Sequence, residues 1–396
     1  MSVATPTVAI VAGSDAGHAF PALGLATALR EAGDRVIVYT GERWTAIAQQ
    51  RGLDVRPLPG LAARPGEDDD DAGAKLSVRA ARMALELAPE LALQDVDLVI
   101  SDVITIAGGW AAELAGLPWI ELSPHPLYEQ SRGLPPIGAG MAAGTGPVGR
   151  LRDVMLRAGA DRAVAKGRRQ RRAARSGIEL HDDAQPIARL VATLPGLEVP
   201  RPDWPERTHI VGPLLFEPTD AIFDRPVGDG PLIVVAPSTA ATGAGDMGAL
   251  TLAALADLQR TRPVRVVYSA LVPPVGDRVP DGMVAATARQ DEILDEADLV
   301  VCGAGHGMLA KALRASVPVV TVPGGGDQWE LANRVQRIGC GRLVRPATVE
   351  SLSEAIIAVL DDPAYAAAAR RVAKTSSSTV DPVTVVHRSW RMAACV

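Results

Sequence analysis

Apolar residues along this chain fall into two kinds of run. Short unbroken ones, "TVAIVAG" at 7–13, "RVIVYT" at 35–40, "DVDLVISD" at 95–102 and "PWIELS" at 118–123, read as strands buried on both faces. Between them lie longer stretches with helical spacing, "FPALGLATALREAG" at 20–33 and "IAGGWAAELAG" at 106–116. Strands alternating with helices predict a parallel sheet with helices on both faces. From about 195 to 231 the pattern fails: proline is dense and no period persists, the texture of an interdomain linker. The alternation then restarts, with strands at 232–238, 265–270, 297–303 and 317–324. The chain therefore reads as α/β, two doubly wound domains in series. The expected division is a first domain 1–212, a proline-rich linker 213–231, a second domain 232–380, and a last helix in 381–396 free to return to the first domain.

Composition changes this picture little. At 396 residues and 47% hydrophobic content, two real cores are affordable, built from Ala, Val and Leu because aromatics are only 3%. A net charge of −6 argues against a nucleic-acid binder. Cys302, Cys340 and Cys395 make neither a C-x-x-C pair nor a metal-ligand spacing, so reduced thiols and a cytoplasmic setting are expected. The opening residues carry no Lys or Arg before their short apolar run, so no signal peptide is expected, and no apolar stretch has membrane-spanning length. Two charge runs stand out. "EDDDD" at 67–71 reads as a solvated loop, and "RAVAKGRRQRRAARSG" at 162–177 as a basic helix facing solvent or an acidic surface.

Three stretches offer chemistry. In "GSDAGHAFPAL" (13–23) a strand ends in glycines, His18 follows, and Pro21 is placed to open a helix. Ligands of open parallel sheets bind at the carboxyl ends of strands, where an imidazole with a pKa near neutrality suits general-base work. Asp102 ends another strand, where it orients an imidazole or caps a helix. Sequence alone does not pair the two. The third stretch combines "VVCGAGHGMLAKAL" (300–313), a glycine turn before a helix that suits an anion, with "VPVVTVPGGGDQWELANRV" (317–335). There Asp327 and Gln328 offer an acceptor and an amide that suit sugar hydroxyls, with an N-cap as the plainer reading of Asp327.

These segments together resemble a family 1 glycosyltransferase of the two-domain GT-B fold, of the natural-product and small-molecule type. "GHAFPALGLATALREAGDRV" (17–36) is similar to the family's N-terminal motif, and "SDVITIAGGWAAELAGLPWIELS" (101–123) resembles its acceptor-side Asp segment. "THIVGPLL" (208–215) and "APSTA" (236–240) resemble its linker strand and its first C-domain loop, and 289–335 resembles its nucleotide-sugar signature. The resemblance implies two Rossmann-like domains facing across a cleft, and direct displacement with inversion, without metal or cofactor beyond a nucleotide-sugar co-substrate. His18 would be the general base and Asp102 the carboxylate that holds it. Asp327 and Gln328 would grip the donor sugar. Ser238, Thr239, Gln290, Gly305, His306, Gly307 and Lys311 would lie around the nucleotide and its diphosphate. The donor would be a UDP- or dTDP-sugar. The acceptor would be a hydrophobic small molecule taken up near His18, Asp102 and the loops around 64–80 and 124–148, the second able to close over it.

The chain departs from the family pattern at three places. Gly303 stands where the family has His, Met308 where it has Thr or Ser, and Lys311 where many members have Glu. Lys311 is expected to turn its ammonium toward the phosphates instead. A non-catalytic binding homologue and a nucleotide-sugar epimerase of the same fold are the competing readings. A homodimer, or contact with an acidic surface through 162–175, is left open.

Overall fold

The computed structural model describes residues 5–64, 72–181, 184–240, 243–276 and 279–394. The acidic run 67–71 and Cys395 lie outside the described residues. The first sheet contains β1 (Thr7–Val11), β2 (Arg35–Thr40), β3 (Asp54–Pro57), β4 (Leu98–Asp102), β5 (Trp119–Ser123), β6 (Ala188–Val191) and β7 (Thr208–Ile210). Its spatial order is β3-β2-β1-β4-β5-β6-β7. The second sheet contains β8 (Leu232–Ala236), β9 (Arg265–Ser269), β10 (Met283–Ala286), β11 (Leu299–Cys302), β12 (Val319–Thr321) and β13 (Gly341–Leu343). Its order is β10-β9-β8-β11-β12-β13. Every neighbouring pair is parallel.

The unbroken apolar strands have the reason expected of them. Val8 and Ile10 of β1 enter one core, while Ala9 and Val11 enter the core on the other face. In β8, Leu232 and Val234 likewise part from Ile233 and Val235. Strand residues alternate between faces, so only a sheet covered on both sides makes every position apolar.

The first sheet carries α1 (Ala16–Glu31), α2 (Thr45–Gln50), α3 (Ala72–Leu93), α4 (Ala107–Ala115) and α5 (Gly146–Ser176). The second carries α6 (Met247–Gln259), α7 (Gln290–Leu294), α8 (His306–Arg314), α9 (Asp327–Ile338), α10 (Val349–Asp361) and α11 (Pro363–Lys374). The last helix, α12 (Pro382–Ala393), leaves that domain and puts Val385 and Val386 into the core of the first. His387 Nε2 there lies 2.7 Å from Asp34 Oδ2.

Three local expectations change. Helix α1 starts at Ala16, ahead of Pro21, because the Asp15 carbonyl already accepts the His18 and Ala19 N–H groups. His18 therefore stands in the first helical turn and not in the loop before it. The 64–80 segment is helix from Ala72 onward. The 124–148 loop is fastened to the second domain. Gly138 and Gly140 N–H donate to Glu330 Oε2 at 3.2 and 2.9 Å, and Trp329 Nε1 donates to Ala139 O at 3.3 Å. Gly140 has φ +67°, and a Cβ there would meet Trp329 Nε1 at 2.5 Å, so only glycine allows this approach.

Candidate active site

In each sheet the strand order reverses beside the first strand, between β1 and β4 and between β8 and β11, the places where open α/β sheets bind ligands. His18 and Asp102 sit at the first of these points and Ser238, Gly305 and Gly307 at the second, while Gln290 follows the edge strand β10 and Asp327 and Gln328 follow β12. In the first domain the chain leaving β1 delivers His18 and the end of β4 delivers Asp102. His18 Nδ1 lies 2.7 Å from Asp102 Oδ1. The other carboxylate oxygen accepts from Ile104 N at 3.2 Å, Thr105 N at 3.0 Å and Thr105 Oγ1 at 3.0 Å. Asp102 is thus both the cap of the following turn and the partner of the imidazole, the two readings its position allowed. Its carboxylate is buried, while 18% of the His18 side chain is exposed.

Burial pushes the His18 pKa down, but the charge and hydrogen bond of Asp102, with Asp15 and Asp327 behind them, outweigh it. The net shift is upward from 6.5. Asp327 acts on His18 from the other domain, at the start of α9, so the two halves of the candidate site face each other.

Beside the dyad, a cavity of about 570 Å³ runs between the first sheet and α5. Asp102, Trp110, Trp119, His125 and Tyr128 contribute to its wall. His125 packs edge-on to His18 with ring centres 6.2 Å apart and stacks on Tyr128 at 4.3 Å. Burial lowers the His125 pKa, and the neighbouring His18 lowers it further. On the far wall Arg175 forks onto Glu113 at 3.0 and 2.7 Å, and Arg189 bridges Glu121 and Glu129 at 3.0 and 2.5 Å. Burial raises the Glu121 pKa despite that partner.

In the second domain the α8 N-terminus carries Gly305 as its cap and Gly307 in its first turn. A Cβ added at either would meet nothing within 4 Å, so this helix end borders open space. Thr239 is exposed on the loop after β8. Ser238 packs on Gly303, where a Cβ would lie 2.9 Å from Ser238 Cβ and 3.3 Å from its N. The departure at Gly303 is therefore steric: Ser238 fills the space a side chain would need.

Four candidates are engaged elsewhere. His306 Nε2 lies 2.9 Å from Thr193 Oγ1, and its ring also bonds the Pro124 carbonyl. It ties the domains together instead of facing the glycine turn, and burial drives its pKa down to about 3. The Gln328 side chain is almost fully buried, with Oε1 accepting from Gly324 N at 3.0 Å and Nε2 donating to Ser238 Oγ at 2.8 Å. Of the expected sugar-gripping pair, Asp327 alone is exposed. Lys311 does not reach for the α8 N-terminus. Its ammonium donates to Glu217 Oε1 at 2.6 Å and Gln290 Oε1 at 2.9 Å. Gln290 in turn donates to Ser269 Oγ at 2.9 Å and, through its backbone N–H, to Glu217 Oε2 at 3.1 Å.

Sequence reasoning missed His125 and Glu217. His125 follows the end of β5, the same signal that marked His18 and Asp102. Glu217 lies in the proline-rich linker, where no periodicity marks any residue.

Two Rossmann-like domains, each built on a parallel sheet, are the GT-B architecture. Residues 262–392 match the family described as erythromycin biosynthesis protein CIII-like, C-terminal domain. The chain is 26% identical to 4'-demethylrebeccamycin synthase of Lentzea aerocolonigenes over 391 residues, covering 90% of this chain and 92% of that one. The calicheamicin glycosyltransferase CalG4 superposes with a TM-score of 0.73 at 21% identity, covering 99% of this chain and 100% of that one. SsfS6, a Streptomyces sp. SF2575 glycosyltransferase solved with thymidine diphosphate, superposes with a TM-score of 0.64 at 19% identity, covering 97% and 99%. The chain has the GT-B fold, and along most of its length it is similar to family 1 glycosyltransferases of the natural-product type. Among the described residues no helix is long and apolar enough to cross a membrane.

Proposed function

We propose that the protein moves a sugar from a UDP- or dTDP-sugar to a hydroxyl of a small-molecule acceptor, with inversion by direct displacement. The observation that carries this reading is the 2.7 Å His18–Asp102 contact at the switch point, facing Asp327 across the cleft. The acceptor hydroxyl sits against His18 Nε2, which takes its proton as the oxygen attacks the anomeric carbon. Asp102 fixes the ring through Nδ1 and stabilises the imidazolium that forms. The nucleoside diphosphate leaves toward the α8 N-terminus, where backbone N–H groups and the helix dipole receive its charge. Asp327 accepts from donor-sugar hydroxyls. Gln328 acts behind it by holding the Gly324 and Ser238 loops together.

The test is calorimetric titration with UDP and dTDP, followed by turnover of His18→Ala. Binding of one nucleotide with a loss of about 10²–10⁴ in turnover supports the reading. Wild-type turnover in the variant removes His18 from the chemistry, and binding of neither nucleotide favours the non-catalytic homologue. Conversion of a nucleotide sugar with no acceptor present would favour the epimerase.

A further inference from the structure

The basic stretch on α5 has a use that neither the fold nor the proton-transfer reading assigns to it. Arg168, Arg171 and Arg172 project to the cavity that Asp102 and His125 border on its other side. The carboxylates on that wall are matched: Asp102 by His18, Glu113 by Arg175, and Glu121 and Glu129 by Arg189. Among the described residues Arg168 and Arg172 have no such partner, while Arg171 lies over the Trp110 ring, 6.0 Å from its centre, and its charge also acts on Glu121. Among the described residues the cavity thus carries two guanidiniums, those of Arg168 and Arg172, without a carboxylate partner.

A second observation is independent of charge. Trp110 is 1% exposed, yet its indole N–H has no hydrogen-bond acceptor. Trp119 Nε1 and the Tyr128 hydroxyl, on residues of the same wall, are also buried without a partner. Buried donors are normally satisfied, and these three orphans lie just behind the wall of one cavity.

We propose that this cavity binds the acceptor, and that the acceptor is an aromatic acid. Its flat apolar body lies against Trp110, Trp119 and Tyr128, and its carboxylate-like group is held by Arg168, Arg171 and Arg172. The planar guanidinium fork suits bidentate capture of such a group. A volume of 570 Å³ suits one small organic molecule. The opposite end of that molecule lies toward Asp102 and His125, the wall residues beside His18, and carries the hydroxyl. This inference rests on the transfer reading for its word acceptor, and its test separates the two.

The probes are 6-hydroxy-2-naphthoate and its methyl ester, titrated calorimetrically into the full chain without donor, with dTDP titrated separately. The acid should bind about tenfold more tightly than the ester at low salt. The double variant Arg168→Gln/Arg172→Gln should lose most of that preference while its dTDP affinity stays at the wild-type value. Both positions are exposed, so the fold survives the change. Equal binding of acid and ester, binding of neither, or an unchanged preference in the variant overturns the proposal. Acid preference without dTDP or UDP binding would leave the cavity assignment standing and sink the transfer reading. Nucleotide binding without acid preference would do the reverse.

Discussion

Replacing Asp102 by Asn tests the centre of the site. The substitution keeps the shape, and the amide can still accept from Thr105, whose N and Oγ1 each lie 3.0 Å from Oδ2. It removes the negative charge 2.7 Å from His18 Nδ1. Burial is the largest influence on His18 and pushes its pKa down, while the Asp102 charge and hydrogen bond lead the forces pushing it up. Without them the burial effect prevails, and the pKa should fall from above 6.5 to below it. A general base works as neutral imidazole, so wild-type kcat/KM should climb with pH through a pKa above 6.5 and level off beyond it. In Asp102→Asn this limb should move to lower pH. The plateau should also drop, because a charge-assisted hydrogen bond of about 1.5–3 kcal/mol no longer stabilises the imidazolium. That loss corresponds to roughly ten- to a hundredfold in rate. Titration of the imidazole signals by NMR gives the pKa without any acceptor, and with only six histidines the His18 signal can be assigned by comparison with His18→Ala. Turnover, followed by release of nucleoside diphosphate, gives the plateau. An unmoved His18 pKa, or a plateau within about twofold of wild type, would refute the dyad reasoning.

The remaining predictions concern the frame around it. His306 has a pKa lowered from 6.5 to about 3, so the unfolded chain binds its proton first and stability falls as pH drops through that window. At about pH 5 this one group costs about 2 kcal/mol, and His306→Gln should unfold with a shallower acid dependence; an identical pH profile would contradict this. The Lys311–Glu217 pair, 9% and 13% exposed, should cost about 3–5 kcal/mol when broken by Lys311→Met or Glu217→Gln, and the double variant should lose less than the sum in urea unfolding. Additive losses would mean the pair is not coupled. Gly303→Ala should displace the Ser238 loop, costing about 1–3 kcal/mol of stability and weakening nucleotide binding; wild-type values for both would show that Ser238 gives way freely.

The fold was legible because parallel strands buried on both faces must be apolar throughout, and the helices between them must be periodic. That is a local constraint, written in consecutive residues such as 232–238 and 317–324. The position of His18 and Asp102 was legible for the same reason: a residue at a strand's carboxyl end faces the ligand edge whatever its partners are. Their pairing was not, since 84 positions separate them and only the β1–β4 neighbourhood joins them. Nor could the sequence show that Lys311 would meet Glu217 from the linker, that His306 would turn to Thr193, or that Gln328 would close on Ser238. Each of these depends on which polar group lies nearest after two domains and a linker have packed. The basic run 162–177 makes the same division in one helix: its charge is in the sequence, while the cavity its arginines border exists only because α5 lies across the first sheet. Periodicity and strand-end placement are properties of a segment. Partnership among charged and hydrogen-bonding side chains is a property of distances across the fold, and only the tertiary structure decides those.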